Sequence, residues 1–184
     1  MIAIVVTARS SWAKLEPVCA ALQAQGAAFG IIACGSALLE RYGRITDVIH
    51  QQGYSVVAEC WTTYEGATRL TSAKETGALL TELSSTLLSL QPTGVLICAD
   101  RHEVLGVAQA VSYLCLPLVH LQGGERSGSI DDKVRDAVTH LATYHCVSTE
   151  LAKYRVYGLT GRWETIYHTG CPSIDIAKEA LSSP

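Results

Sequence analysis

Short apolar runs rich in β-branched residues alternate along this chain with longer amphipathic stretches, and few folds accept that rhythm. An apolar run of five to seven residues has no polar face to turn to water, so it fits a strand covered on both sides. The periodic stretches between such runs are the helices that do the covering. Strands are expected at 2–7, 28–34, 55–59, 94–99, 117–121, 145–148 and 165–169, and helices at 12–25, 36–42, 45–52, 68–90, 102–114, 130–142, 149–157 and 173–181. Within 102–114, Val104, Leu105, Ala108, Val111 and Leu114 recur at helical spacing, and 68–90 carries Leu79, Leu80, Leu83, Leu87 and Leu90. Gly26, Gly43, Gly53 and Gly158 follow periodic segments where a left-handed cap ends a helix. The segment 60–67, with Trp61 and Tyr64, is expected to be the longest irregular piece and to pack as an ordinary loop. The pattern reads as a doubly wound parallel α/β sheet.

Composition sharpens that to one Rossmann-like domain. A chain of 184 residues with 48% hydrophobic and 17% charged content builds a single substantial core. The net charge of −3 comes from acids and bases mixed along the chain, so no basic stripe waits for nucleic acid. The opening run Met1-Ile2-Ala3-Ile4-Val5-Val6 is far shorter than the roughly 20 residues that span a bilayer, so no membrane association is expected. Seven cysteines, odd in number and without a C-x-x-C pair, point to reduced thiols and a cytoplasmic setting. H-E-x-x-H is missing, as are G-x-G-x-x-G, the P-loop and G-x-S-x-G, so neither a metal nor a cofactor is expected, and acid/base chemistry by carboxylates remains.

In open α/β sheets ligands bind beyond the carboxyl ends of the strands. Thr7-Ala8-Arg9 and then Lys14 follow the first strand, Asp100-Arg101-His102-Glu103 follow 94–99, and Gln122-Gly123-Gly124-Glu125-Arg126 follow 117–121. Asp131 and Arg135, four apart, fall on one helix face as an ion pair. Asp131 and Asp132 also read as caps in a first helical turn, and Asp100 as an N-cap. Glu125 has less structural purpose: Gly123-Gly124 lets the backbone turn tightly and approach a ligand, and an acid directly after it suggests function. His120 reads as a hydrogen-bonded core histidine; His102, His140 and His145 carry little signal singly.

Taken together these segments resemble the hydrolysing UDP-N-acetylglucosamine 2-epimerases of sialic acid pathways and, more distantly, the non-hydrolysing ones. The resemblance rests on Thr7-Ala8-Arg9 leading to Trp12-Ala13-Lys14-Leu15-Glu16-Pro17, on Ala99-Asp100-Arg101-His102-Glu103, on His120-Leu121-Gln122-Gly123-Gly124-Glu125 followed by Ile130-Asp131-Asp132 and Arg135, and on Gly170-Cys171-Pro172-Ser173-Ile174-Asp175. It implies the N-terminal half of a GT-B fold, with 1–172 as the epimerase domain and 173–184 as the start of an interdomain helix, the second, nucleotide-binding domain not being in this chain. The implied reaction eliminates UDP and then hydrates 2-acetamidoglucal to N-acetylmannosamine. Asp100, Glu125 and Asp131 would be catalytic, Glu125 and Asp131 in proton transfer and Asp100 in that or in orienting the sugar. Arg9 and Lys14 would hold the diphosphate, Arg135 would position Asp131, and Arg101, Glu103, Gly123 and Gly124 would complete the UDP-sugar site. Partners implied are that second domain and a homodimer or hetero-oligomer. The chain departs from its relatives at Ser10-Ser11, where Ala-Asp is usual, at Ala99 for Gly, at Asp136 for His and at His140 for Lys. The competing reading is a non-catalytic binding or assembly module that keeps the epimerase fold.

Overall fold

The computed structural model describes residues 1–98 and 101–182. Seven parallel strands, β1 (Ile2–Val6), β2 (Phe29–Cys34), β3 (Val56–Cys60), β4 (Gly94–Cys98), β5 (Leu118–Leu121), β6 (Tyr144–Val147) and β7 (Ile166–His168), form one sheet in the order β3-β2-β1-β4-β5-β6-β7. Seven helices connect and flank them: α1 (Arg9–Ala24), α2 (Ile45–Gln51), α3 (Arg69–Leu90), α4 (His102–Tyr113), α5 (Asp131–Leu141), α6 (Glu150–Thr160) and α7 (Pro172–Ser182). The chain builds outward from β1 to β3, then α3 carries it back to start again at β4, on the other side of β1. That reversal between β1 and β4 opens a crevice at the carboxyl ends of the strands.

The period of two along each strand decides which core a side chain joins. Ala3 and Val5 enter one cluster with Val95 and Ile97, beneath α3, α4 and α5, whose Leu79, Leu83, Val107 and Val111 are fully buried. Their neighbours Ile4, Val6, Leu96 and Cys98 point the other way, to Trp12, Leu15 and Cys19 of α1 and Ile45 and Ile49 of α2. A third cluster, Val147, Ala152, Val156 and Ile166, seats α6 at the β6–β7 end. The doubly wound class is therefore the one expected. All seven cysteines are free thiols, and no described helix is long and apolar enough to cross a membrane.

The structure revises several local expectations. Residues 36–42 are two 3-10 turns, Gly35–Leu38 and Glu40–Tyr42, because Leu39 between them is extended (φ −87°, ψ 127°) and interrupts helical hydrogen bonding. Helix α6 runs through Gly158 to Thr160; the left-handed cap belongs to Gly161, at φ 68°, whose N–H reaches the Tyr157 carbonyl. Helix α1 starts at Arg9, three residues before the expected 12, because the Ser11 hydroxyl accepts the N–H groups of Thr7 (3.2 Å) and Ala8 (3.1 Å) and closes the turn without a capping side chain at Ala8. The longest irregular segment is 122–130, not 60–67, since β3 extends through Cys60 and α5 begins only at Asp131.

Candidate functional site

Some of the charged residues that follow β1, β4 and β5 lie around two hollows along the carboxyl edge of the sheet. One, of about 430 Å³, lies among Lys14 of α1, Gln122 and Glu125 after β5, Arg135 of α5, Ser148 after β6 and Cys171 before α7. The other, of about 390 Å³, is lined by Arg101, Glu103, Asp131, Glu75, Tyr42 and Tyr64 among others. Arg9 stands exposed on the first turn of α1, its Nη1 against Gly43, and lines neither. Asp100 lies outside the described residues.

The segment 122–130 is held by its own charged neighbours. The Arg135 guanidinium donates to the Glu125 carbonyl at 2.7 Å and to the Asp132 carboxylate at 2.6 Å, and Arg155 of α6 donates to the Gly124 carbonyl at 3.1 Å. Asp132 also accepts the N–H groups of Ser127 (2.8 Å) and Gly128 (2.9 Å) and the Ser127 hydroxyl at 3.0 Å. Those donors, the Ser127 N–H foremost, hold the Asp132 carboxyl well below the usual carboxylate range. The expected Arg135–Asp131 pair is thus corrected to Arg135–Asp132, because Asp132 is the acid that turns back into this segment. Asp131 instead accepts the Ser129 hydroxyl at 2.9 Å and faces Arg101 in the second hollow.

Gly123 and Gly124 are buried, and protein fills the space their missing side chains leave. A Cβ on Gly124, which sits at φ 78°, would come within 2.4 Å of the Ala152 carbonyl oxygen, and one on Gly123 within 3.2 Å of His120 and Thr139. The glycines bring the backbone against α6, and that approach sets where Glu125 emerges. Among the described residues the Glu125 carboxylate makes no hydrogen bond or ion pair, and it shares its hollow with Lys14. Asp136 is paired with Arg126 at 2.8 Å.

The second hollow has a different character. Arg101 donates twice to buried Glu103, through Nε and Nη2, both at 3.1 Å. Burial lowers the Arg101 proton affinity, but the Glu103 carboxylate outweighs it and raises the net value. His102 lies between Glu103 (Nδ1, 3.3 Å) and Glu75 (Nε2, 2.8 Å), and the other Glu75 oxygen accepts the Tyr64 N–H at 2.8 Å. Glu75, His102 and Glu103 bring three possible ligand atoms within 4.8 Å of one another. Both Glu103 oxygens already accept from the Arg101 guanidinium.

Sequence reasoning missed the side chains that shape these hollows. Gln122, buried at φ 64°, takes a thiol hydrogen bond from Cys98 at 3.8 Å and donates to the Cys171 sulfur at 3.2 Å. Burial would raise the Cys171 thiol, but the N–H groups of Ser173 and Ile174, the Ser173 side chain and the Gln122 amide outweigh it and lower the net value. Only the place of Gln122 directly after a strand could have flagged it. Glu75, in mid-helix, carried no signal.

Comparison with known proteins agrees with this architecture. Residues 20–183 match the family model described as UDP-N-acetylglucosamine 2-epimerase. The chain is 34% identical over 153 residues to the UDP-N,N'-diacetylbacillosamine 2-epimerase (hydrolyzing) of Legionella pneumophila, covering 83% of this chain and 41% of that protein. It is 28% identical over 179 residues to the GDP/UDP-N,N'-diacetylbacillosamine 2-epimerase (hydrolyzing) of Campylobacter jejuni, covering 96% and 46%. The solved structure of the UDP-GlcNAc 2-epimerase from Neisseria meningitidis bound to UDP-GlcNAc superposes with a TM-score of 0.84 at 17% identity, covering 98% of this chain and 49% of that one. The chain therefore spans somewhat under half the length of the relatives it matches. A Rossmann-like sheet with acids and bases crowded on its carboxyl edge, and a family match from residue 20 to residue 183, lead to one conclusion: the chain belongs to the UDP-N-acetylglucosamine 2-epimerase family.

Proposed function

We propose that this chain is the N-terminal, carboxylate-bearing domain of a hydrolysing UDP-sugar 2-epimerase, with 1–172 as the catalytic half and α7 leading toward a nucleotide-binding domain. The substrate class is a UDP-linked 2-acetamido sugar. The C2 proton is removed as the C1–O bond to UDP breaks, giving the 2-acetamidoglucal; water then adds at C1 and a proton at C2 on the opposite face, releasing the free 2-epimeric sugar. Glu125 carries proton transfer at the first hollow, where Lys14 stabilises the departing diphosphate. Asp131 is the second acid/base group, with Arg101 and Glu103 shaping its hollow, Arg135 and the Gly123-Gly124 turn fixing the Glu125 segment, and Arg9 at the outer rim for the diphosphate. Asp100 keeps its role in orientation or proton transfer. The setting is the cytoplasm, with a dimer or hetero-oligomer as the assembled form.

The observation that carries this reading is an unpaired carboxylate, Glu125, in one hollow with Lys14, on a backbone that Arg135 holds through the Glu125 carbonyl and the Asp132 carboxylate. The test assays the chain joined to its family's nucleotide-binding domain with UDP-N-acetylglucosamine and with UDP-N,N'-diacetylbacillosamine. UDP release together with the 2-epimeric sugar from either is expected. UDP binding without turnover of either would favour the non-catalytic module.

A further inference from the structure

Among the described residues no hydrogen bond or ion pair holds the Glu125 carboxylate, so the direction in which it points is set by its backbone. That backbone is irregular. Gln122 (φ 64°) and Gly124 (φ 78°) are both left-handed, and no backbone N–H of the described residues reaches the carbonyl of Gly124 or of Glu125. A turn of this kind keeps one shape only when groups outside it take those carbonyls.

Two guanidiniums do so. Arg155 of α6 donates through Nη1 to the Gly124 carbonyl at 3.1 Å, and Arg135 of α5 donates through Nη1 to the Glu125 carbonyl at 2.7 Å. Each bond is charge-assisted and so stronger than a neutral one. The first carbonyl belongs to the peptide plane that enters the Glu125 Cα, and the second to the plane that leaves it. Because a peptide unit is rigid, fixing both planes fixes φ and ψ of Glu125, and with them the direction of its Cα–Cβ bond. Arg155 owes its place to the close approach of Gly124 to Ala152: it stands one turn further along the same face of α6 and reaches the carbonyl from there. The two arginines differ in their other duties. Arg135 is buried and also pairs with Asp132, whereas half-buried Arg155 has the Gly124 carbonyl as its one hydrogen-bond partner among the described residues.

We propose that Arg155 is a positioning residue for Glu125: through the Gly124 carbonyl it completes, with Arg135, a bracket on both peptide planes of the acid and aims its carboxylate into the first hollow. The part of Glu125 in proton transfer rests on the UDP-sugar reading; the bracket does not.

The test therefore has two arms, each on Arg155→Met, which keeps an aliphatic stem and removes the donor, and on Arg155→Lys, which keeps a charged donor. In the 184-residue chain, NMR follows the three-bond HN–Hα coupling and the backbone heteronuclear NOE of Glu125. Arg155→Met is expected to move both toward the values of a flexible loop, with the amides of α5 unmoved, and Arg155→Lys to fall between that variant and the parent. In the chain joined to its nucleotide-binding domain, Arg155→Met should lower kcat about tenfold or more with KM unchanged, and Arg155→Lys should recover part of it, a split that loss of fold stability alone would not produce. A parent without turnover would sink the UDP-sugar reading and leave the NMR arm to decide the bracket by itself. Unchanged Glu125 coupling and NOE in Arg155→Met, or equal turnover in that variant and an active parent, would overturn the proposal.

Discussion

The two hollows on the carboxyl edge draw on the same kinds of residue and treat them in opposite ways. Around Asp131 the charges are already spent on one another: Arg101 grips Glu103, and His102 joins Glu103 to Glu75 and, through it, to the 61–68 loop. Around Glu125 the charges lock only the backbone, through Arg135, Arg155 and Asp132, and leave the Glu125 carboxylate unengaged. An acid fully hydrogen-bonded to its neighbours is part of the scaffold, whereas one held in place but unpaired keeps its proton chemistry available. Residue type does not separate these cases; the partners do.

The sharpest way to break the contrast is to neutralise one acid on each side. Glu125→Gln is expected to lower UDP release by the assembled enzyme by about 100-fold or more, with thermal stability unchanged. Glu103→Gln is expected to lower stability by about 2–3 kcal/mol in denaturant unfolding, since the amide keeps one acceptor for Arg101, turns an NH2 donor toward the other Arg101 N–H, and removes the charge of a buried acid. A stability loss in the first variant without a turnover loss would erase the distinction. Next in size, Gly124→Ala is expected to cost at least about 2 kcal/mol, because the new methyl meets the Ala152 backbone at a left-handed position. An unchanged melting temperature would show that the segment does not rely on this contact.

The acid limb of stability tests the backbone lock. The folded-state pKa of Asp132 is depressed, so its contribution is complete above the ordinary carboxylate value and disappears as pH falls from about 4 toward its native value. Asp132→Asn should therefore be less stable than the parent at neutral pH and should converge with it in acid. Urea midpoints that differ equally at pH 7 and pH 3 would count against the lock. Smallest of all, Glu75→Gln is expected to change global stability by less than about 1 kcal/mol, the scale of a partly exposed ion pair. It should nonetheless speed hydrogen exchange at the Tyr64 amide, which donates to Glu75.

Much of the fold was legible because its signals are local. Apolar runs marked the strands, leucine periodicity marked α3, and each was recovered within a few residues. Where capping acts between neighbours the reading slipped: Ala8 gives no hint that Ser11 closes the α1 start, and Gly158 looks as much like a helix stop as Gly161 does. The site was legible as a set of strand ends. Its division into two hollows, the choice of Asp132 over Asp131 by Arg135, and the parts played by Gln122, Glu75 and Arg155 were not, since each depends on residues far apart in the chain.

By itself the sequence determined the alternation of strand and helix, the doubly wound class and which strand ends carry charge, because hydrophobic periodicity and glycine placement act over a few residues at a time. Tertiary structure alone decided which carboxylates are paired and which stays free. An ion pair depends on distances of about 3 Å between side chains from separate elements, and no pattern along a single segment encodes those distances.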